Sequence, residues 1–377
     1  MLTNKIYQNF IKEILKTFFV VLFGLSVIAW TVRAVNFLDL IVENGYSVAI
    51  YFHYSLLNFF GILTKFIPLA FLISLTIFIL KQIHENEFII LWTSGVKKLK
   101  IVNLFLITSL LILCFYLFFS IFLTPMALNK SRILLSKDGF NSFLPTIRIQ
   151  QFSDSFKGFT FIVEKKFKNE IKNVFIHDSS NTLRNLTSES SNDNLKTITA
   201  EEGLVEEKRM ILFNGEIIST QKNSLKSEII KFQQLNIDLK NLQTDTIKIP
   251  KLQETSTKEL VLCLFSSSRI NNVNCKKDTK REISTILNRR IVLPLYIPIL
   301  SLICSFLLIK NSKNKFFTNK YSIFLLSFLV LLFAELIIRY TGISKLVGII
   351  FLLTPIILIP TIYLTLMFKF SRESLSK

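Results

Sequence analysis

Six runs of about 20 apolar residues constrain this chain more than any other feature of its sequence. An α-helix rises about 1.5 Å per residue, so a run of this length crosses the roughly 30 Å hydrocarbon core of a bilayer. Soluble domains rarely conceal so much apolar material, since 50% of the 377 residues are hydrophobic and 37 are Phe. The sequence therefore predicts a polytopic membrane protein. The runs cover about 17–40, 55–80, 101–123, 291–309, 321–340 and 346–368.

A polar insert separates the first three runs from the last three. We place it at 124–288, between transmembrane helices 1–3 in residues 1–123 and transmembrane helices 4–6 in residues 289–377. Short β-branched and aromatic runs predict strands within it, and Asn214-Gly215 predicts a hairpin turn. Residues 256–290 are predicted to be helical and to lead back to the membrane. The expected fold class is an α-helical membrane protein with six transmembrane helices plus an inserted all-β, jelly-roll-like domain.

The distribution of Lys predicts the orientation. The N-terminus, the segment 81–100, the loop 310–320 and the C-terminal tail share one side of the membrane and are rich in Lys. The positive-inside rule makes that side cytoplasmic, so the insert lies on the outer side. In a bacterium with two membranes this means that the insert faces the periplasm and that the chain is a multi-pass inner-membrane protein. Many of the Lys behind the formal charge of +19 flank apolar runs, where they fix the topology, and we expect no nucleic-acid partner. The first run is long and lacks a small-residue cleavage site, which indicates a retained span.

The sequence offers no pattern for catalysis. No Gly is followed by Lys, so there is no Walker A loop, and His53, His84 and His177 are too far apart in sequence to indicate a metal cluster. We expect no catalytic residue, no metal and no cofactor bound by this chain. Cys263 and Cys275 in the insert can form a disulfide if it faces an oxidising compartment, and the sequence leaves that question open.

The segment at about 82–95 predicts a short cytoplasmic helix. Gly95 is a plausible left-handed cap, Glu85 and Glu87 in the first turns suit the helix dipole, and Phe88 and Trp92 share a face. Such a helix suits docking into a cytoplasmic ATPase. The simpler alternative is an interfacial connector whose aromatic side chains rest on lipid. The candidate ATPase-coupling residues are Glu85, Glu87, Phe88, Trp92 and Gly95.

Charged residues within and beside the spans fall at a similar height. Arg33 lies about 16 residues into a span entered from the cytoplasm, or about 24 Å up. Charges in hydrocarbon are costly and tend to mark substrate paths, and basic pockets between spans suit anionic lipid head groups. The simpler alternatives are snorkelling and an internal ion pair, for which Glu335 and Arg339 have i,i+4 spacing. The candidate head-group residues are Arg33, Lys65, Glu335, Arg339, Arg289 and Arg290.

Four stretches resemble the LptF/LptG permease family, the membrane subunits of the lipopolysaccharide-export ABC transporter. They are Thr31-Val-Arg-Ala-Val-Asn-Phe-Leu-Asp-Leu, Phe66-Ile-Pro-Leu, the acidic Gly-terminated motif at 84–96 and the start of the fourth span at 287–295. The resemblance covers essentially the whole chain. The chain resembles the LptF-like member more than the LptG-like member. The chain departs from the family pattern at Ile286, where a Glu is usual. Glu282, one helical turn earlier, is the candidate to replace it.

The resemblance implies a permease subunit that extracts lipopolysaccharide from the inner membrane and passes it to a periplasmic bridge. The implied partners are an LptB-like ATPase dimer that uses ATP and Mg²⁺, a second LptF/LptG-type permease, and LptC- and LptA-like bridge proteins. Lipopolysaccharide would enter between the first span of one permease and the fifth span of the other. The chain itself would not be an enzyme. Two alternatives remain, a mechanotransmission ABC permease with typically four spans and a non-transporting membrane-anchored periplasmic adaptor or sensor.

Overall fold

The structure is a computed structural model, and it describes residues 5–42, 47–138, 149–156, 159–167, 169–179, 194–206, 209–221, 227–238, 251–265, 275, 277–309 and 320–375. Six of its helices are long and apolar enough to cross a membrane, which confirms the predicted number. These helices extend beyond the apolar runs, because helical hydrogen bonding continues in the polar flanks. The six spans are Lys5–Asn36, Val48–His84, Lys98–Leu135, Thr279–Leu308, Lys320–Thr341 and Leu346–Arg372.

In chain order, one group of helices precedes the strands and a second group follows them. Two five-residue π-helical turns interrupt the third and fourth spans, at Phe119–Leu123 and Asn288–Val292. The 3-10 turns Leu293–Leu295 and Ser305–Leu308 flank the middle of span 4. The α-helices are α1 (Lys5–Asn36), α2 (Asp39–Val42), α3 (Val48–His84), α4 (Glu87–Thr93), α5 (Lys98–Phe118), α6 (Thr124–Asp138), α7 (Thr257–Phe265), α8 (Lys277–Leu287), α9 (Tyr296–Cys304), α10 (Lys320–Thr341) and α11 (Lys345–Leu375).

One compact unit contains Met1–Val32, Leu57–Asn129 and Pro250–Lys377. Spans 2 and 4 form its centre, since 72% and 78% of their apolar windows are buried, against 17% for span 1 and 11% for span 6. Span 2 is apolar on all sides for this reason, whereas span 1 buries only one stripe at helical spacing. That stripe is Tyr7, Phe10, Ile14, Phe18, Leu22 and Ser26.

The second compact unit contains Arg33–Leu56 and Lys130–Ile249. Its described strands form one antiparallel sheet of six strands in sequence order, so the predicted all-β insert is confirmed. The order is that of a meander, in which each strand pairs with the next along the chain. The strands are β1 (Ser153–Phe156), β2 (Phe159–Phe167), β3 (Glu170–Asp178), β4 (Asn194–Val205), β5 (Arg209–Gln221) and β6 (Ser227–Asp238).

The sheet bends along one row of residues. Asn173 and Asn214 have φ values of 51° and 49° within β3 and β5, and the ladders skip these residues and the neighbouring Glu201. The predicted hairpin at Asn214-Gly215 is therefore wrong, because the positive φ kinks a continuous strand instead of turning the chain. Gly215 permits the bend, since a Cβ there would lie 2.2 Å from the Thr199 carbonyl oxygen.

One face of the sheet is apolar. Its buried members lie on β2 to β6 and include Phe161, Ile176, Ile198 and Leu212. The row at one end of this face is polar, with Asp178 and Lys196 as cross-strand neighbours and only 1% and 4% exposed. Burial lowers the pKa of the Lys196 ammonium, and the Asp178 carboxylate opposes that effect.

Candidate functional site

The predicted coupling segment folds as the end of one helix followed by a separate short helix. α3 ends at His84, Glu85 and Asn86 form a turn, and α4 runs from Glu87 to Thr93. Glu85 therefore lies before the helix and not in its first turn, because Asn86 has φ 59° and interrupts the helix. Gly95 ends α4 as predicted: it has φ 88°, its N–H donates to the Trp92 carbonyl, and Val96 N–H donates to the Leu91 carbonyl.

The aromatic face of α4 is turned towards the spans. Phe88 is 1% exposed, meets the Phe10 ring edge-on at 6.4 Å and stacks on Trp92 at 6.0 Å. The contact between Phe88 and Phe10 attaches α4 to span 1. Ile89 and Ile90 of the same helix are 42% and 64% exposed. These two residues could not be identified from the sequence, because the helical period identifies an apolar face without saying which face a partner covers.

Three predicted head-group residues, Arg33, Lys65 and Arg339, are exposed. Lys65 is the one exposed position between the buried Ile62 and Pro68 of α3. Arg33 lies in the last turn of α1, beyond the buried stripe, which ends at Ser26. Beyond the buried stripe, the last part of span 1 is bound by a hydrogen bond. The Tyr51 hydroxyl donates to the carbonyl oxygen of Ala34 at 2.9 Å.

The two adjacent arginines at the start of span 4 have different surroundings. Arg289 Nη2 donates to Glu335 Oε2 at 3.2 Å, and both side chains are about one third exposed, at 36% and 38%. Glu335 is thus paired across two spans, with Arg289, instead of within its own helix. The buried Nε of Arg289 has no hydrogen-bond partner among the described residues.

Arg290 is buried, at 6% exposed, and its guanidinium binds the segment that precedes α7. Nη1 donates to the Thr255 carbonyl at 3.1 Å and to Thr257 Oγ1 at 2.8 Å, and Nη2 donates to the Gln253 carbonyl at 2.8 Å. Three bonds from one planar donor fix both the side chain and the loop. This environment favours a structural role for Arg290 in place of the predicted contact with a head group.

In each π-helical turn, one carbonyl oxygen accepts a hydrogen bond from a side chain outside that turn. The Tyr116 hydroxyl donates to the carbonyl oxygen of Arg289 at 3.2 Å, and Thr257 Oγ1 donates to that of Ile121 at 3.3 Å. A π turn shifts the helical ladder, so its carbonyl groups can accept such external bonds. Thr257 also accepts from Arg290, and it therefore connects both turns to α7. No residue pattern in the sequence predicts a π turn, which is why this junction was missed.

A disulfide joins Cys263 in α7 to Cys275, just before α8. The sequence had left this pairing open. α8 in turn packs on the turn between spans 5 and 6, where a Cβ on Gly342 would lie 2.3 Å from the carbonyl oxygen of Arg281. Ile286 packs into the apolar cluster of α7 and α8, and Glu282 is exposed. The described residues contain no group of three or more His, Cys, Asp or Glu side chains that could hold a metal ion.

The structure has six spans, a sheet inserted between the third and fourth, and a short capped helix between the second and third. These features define a polytopic membrane protein with an inserted antiparallel β domain. Residues 9–369 match the sequence model of the family described as lipopolysaccharide export system permease LptF/LptG. The match covers nearly the whole chain, and the chain belongs to this family. No curated protein sequence matches the chain.

Proposed function

We propose that this chain is one of two permease subunits that lift lipopolysaccharide out of the inner membrane under the control of an LptB-like ATPase. The observation that carries the proposal, beside family membership, is the loosely packed upper part of span 1 with its exposed Arg33. From Val27 to Asn36 no residue of α1 is buried. A span with so little lateral packing can separate from a neighbour and admit a lipid from the side.

Spans 1 and 5 both present apolar surface outwards. Val32 is 62% exposed on span 1, and Phe333 is 55% exposed on span 5. Lipid or a second permease subunit must cover these side chains. Six spans also argue against the four-span mechanotransmission class. We therefore propose that span 1 of this chain faces span 5 of the second permease, and the reverse, with lipopolysaccharide between them.

The exposed cations suit the phosphates of lipid A. Arg33, Lys65 and Arg339 are the proposed primary contacts, because their side chains reach the surface of the spans. Arg289 is a secondary contact. Its guanidinium is partly exposed and weakly satisfied, so a phosphate can compete with Glu335 for it. Arg290 is excluded from this set, since its donors are already committed to the loop before α7.

Coupling to ATP hydrolysis is assigned to α4. Phe88 packs this helix against Phe10 of span 1, so a push on its outer face is transmitted to span 1. The proposed contacts with the ATPase are Glu87, Ile89 and Ile90, with Glu85 in the preceding turn. In this proposal α4, the N-terminus and the C-terminal tail lie in the cytoplasm, and the sheet lies in the periplasm.

After lipopolysaccharide leaves the spans, it binds next to the sheet of the inserted domain. Its apolar face offers a surface on which acyl chains can lie, and LptC- and LptA-like proteins would continue that path. The chain binds no ATP in this proposal. ATP and Mg²⁺ belong to the partner.

The head-group role of Arg33 is tested by photocrosslinking. A photoreactive residue at Val32 should capture lipopolysaccharide in membranes that contain the whole complex, and Arg33→Ala should reduce that capture about tenfold, as expected for one charge-assisted hydrogen bond. Lys12→Ala is the matched control, because Lys12 is an exposed cation on the same helix at its opposite end. Equal capture in the wild type and Arg33→Ala would contradict the assignment.

A further inference from the structure

Lys98, the first residue of span 3, contacts three other parts of the chain with one ammonium group. Its Nζ donates to the carbonyl oxygen of Leu308 at 3.2 Å. The same Nζ lies 4.5 Å from the centroid of the Trp92 ring and 5.6 Å from that of the Phe370 ring. Trp92 belongs to α4, Leu308 is the last residue of span 4, and Phe370 lies near the end of span 6. The short helix and the ends of spans 4 and 6 therefore meet at Lys98.

Each of these contacts suits a cation. The last carbonyl groups of a helix have no partner within the helix and carry partial negative charge, so they favour an ammonium group. The faces of aromatic rings also attract cations, and the indole of Trp attracts them most strongly. Lys98 is half-buried, whereas the neighbouring Lys97 and Lys100 are exposed. An uncharged side chain at this position would lose the cation–π attraction to both rings.

A cleft of about 240 Å³ lies beside α4 and the end of span 4. Its lining includes Phe88 and Trp92 from α4, and Leu307 and Leu308 from span 4. Side chains that border empty space have fewer partner atoms than those in a closely packed core. Lys98 contacts one lining residue from each element, Trp92 and Leu308. Loss of this connection leaves α4 room to move relative to span 4.

Spans 4 and 6 also contact each other at this end. The Lys369 ammonium of α11 lies over the Phe306 ring of span 4, at 5.3 Å from its centroid. A displacement that reaches one of these two ends is therefore transmitted to the other.

We propose that Lys98 is the positioning residue that makes spans 4 and 6 follow a displacement of α4. The inference rests on the proposed function, in which the ATPase displaces α4. Phe88 transmits the displacement to span 1 through Phe10, and Lys98 transmits it to the second group of spans. A cavity bounded by both groups closes only when both respond to the same ATPase event.

Hydrogen exchange in the full chain tests the connection itself. Lys98→Met keeps an unbranched side chain and removes its charge. Amides of the peptides covering 87–93 and 303–309 should exchange about tenfold faster in this variant, because the charged donor and its ring contacts are lost. Lys98→Arg keeps the charge and stacks on aromatic rings, so it should restore slow exchange. Lys100→Met is the matched control, since it removes an exposed Lys from the same segment.

The number of ATP molecules hydrolysed for each lipopolysaccharide exported tests the positioning role. In proteoliposomes with both permeases and the ATPase, Lys98→Met should raise this ratio at least about fivefold, the lower end of a typical coupling between sites. Lys98→Arg and Lys100→Met should leave the ratio unchanged. Phe370→Leu, which removes the ring on span 6, should raise it in the same direction. A residue that only stabilises the fold would lower hydrolysis and export together, at a constant ratio.

Unchanged exchange of both peptides in Lys98→Met would overturn the inference, and so would faster exchange with an unchanged ratio. If Lys98→Met does not fold, Phe370→Leu decides, because an unchanged ratio in that variant contradicts the connection to span 6. Glu87→Lys reports on the proposed function in the same proteoliposomes. A raised ratio in Glu87→Lys beside an unchanged ratio in Lys98→Met would refute only the role of Lys98.

Discussion

Arg289 and Arg290 are adjacent in sequence, yet the structure predicts opposite consequences for their replacement. Arg290→Met removes three hydrogen bonds to Gln253, Thr255 and Thr257, at 2.8 to 3.1 Å, from a side chain that is 6% exposed. Bonds from a charged donor are worth about 1.5–3 kcal/mol each. Burying the guanidinium costs several kcal/mol in return. The net loss for the loop before α7 is therefore about 3 kcal/mol, or roughly 150-fold in its opening equilibrium.

Hydrogen exchange measured by mass spectrometry reads this loss directly. Amides of the peptide that covers 251–265 should exchange about 150-fold faster in Arg290→Met, because local opening governs their protection. Arg289→Gln is the matched control. It removes one partly exposed ion pair, which is worth about 0–1 kcal/mol, so exchange should rise less than about fivefold. Unchanged protection in Arg290→Met, or the same loss in both variants, would refute the division of roles between the two arginines.

Three further perturbations follow from the same structure. Glu87→Lys should leave the complex assembled but uncouple ATP hydrolysis from export, and wild-type export in a reconstituted assay would contradict the coupling role of α4. Cys263→Ser should destabilise α7 and α8 by about 3 kcal/mol, since the disulfide closes a loop of 12 residues, and reductant added to the wild type should reproduce the faster exchange of α7. Asp178→Asn should lower the thermal midpoint, because it removes the carboxylate that opposes the effect of burial on the Lys196 ammonium. Because the pKa of Lys196 in the fold is then lowered further, the unfolded chain binds more protons, and the thermal midpoint of this variant should rise between pH 7 and pH 10. A midpoint that stays flat or falls would contradict this assignment.

Patterns that repeat along the chain made the fold predictable. Span length, the strands of the insert and the Gly95 cap each depend on local chemistry that residues display directly. The hairpin predicted at Asn214-Gly215 was wrong, because a residue with positive φ occurs in a strand kink as well as in a turn. Only the pairing of β5 with β4 and β6 distinguishes the kink from the turn.

The candidate sites were less accessible to sequence because burial decides their roles. Arg289 and Arg290 cannot be told apart in sequence. Only the position of the loop at 253–257 lets Arg290, and not Arg289, bind that loop. The outward face of α4 depends in the same way on where Phe10 meets Phe88. Tertiary contacts of this kind leave no periodic signal.

The central claim is that lipopolysaccharide passes from span 1 to the sheet when ATP is hydrolysed. Photoreactive residues at Val32 on span 1 and at Phe232 on β6 test it in proteoliposomes that contain both permeases, the ATPase and lipopolysaccharide. We predict crosslinks at Val32 without ATP, and crosslinks at Phe232 that develop only after ATP is added and are lost in Glu87→Lys. Crosslinks at Phe232 that form equally without ATP, or none at either position, would contradict the proposed route.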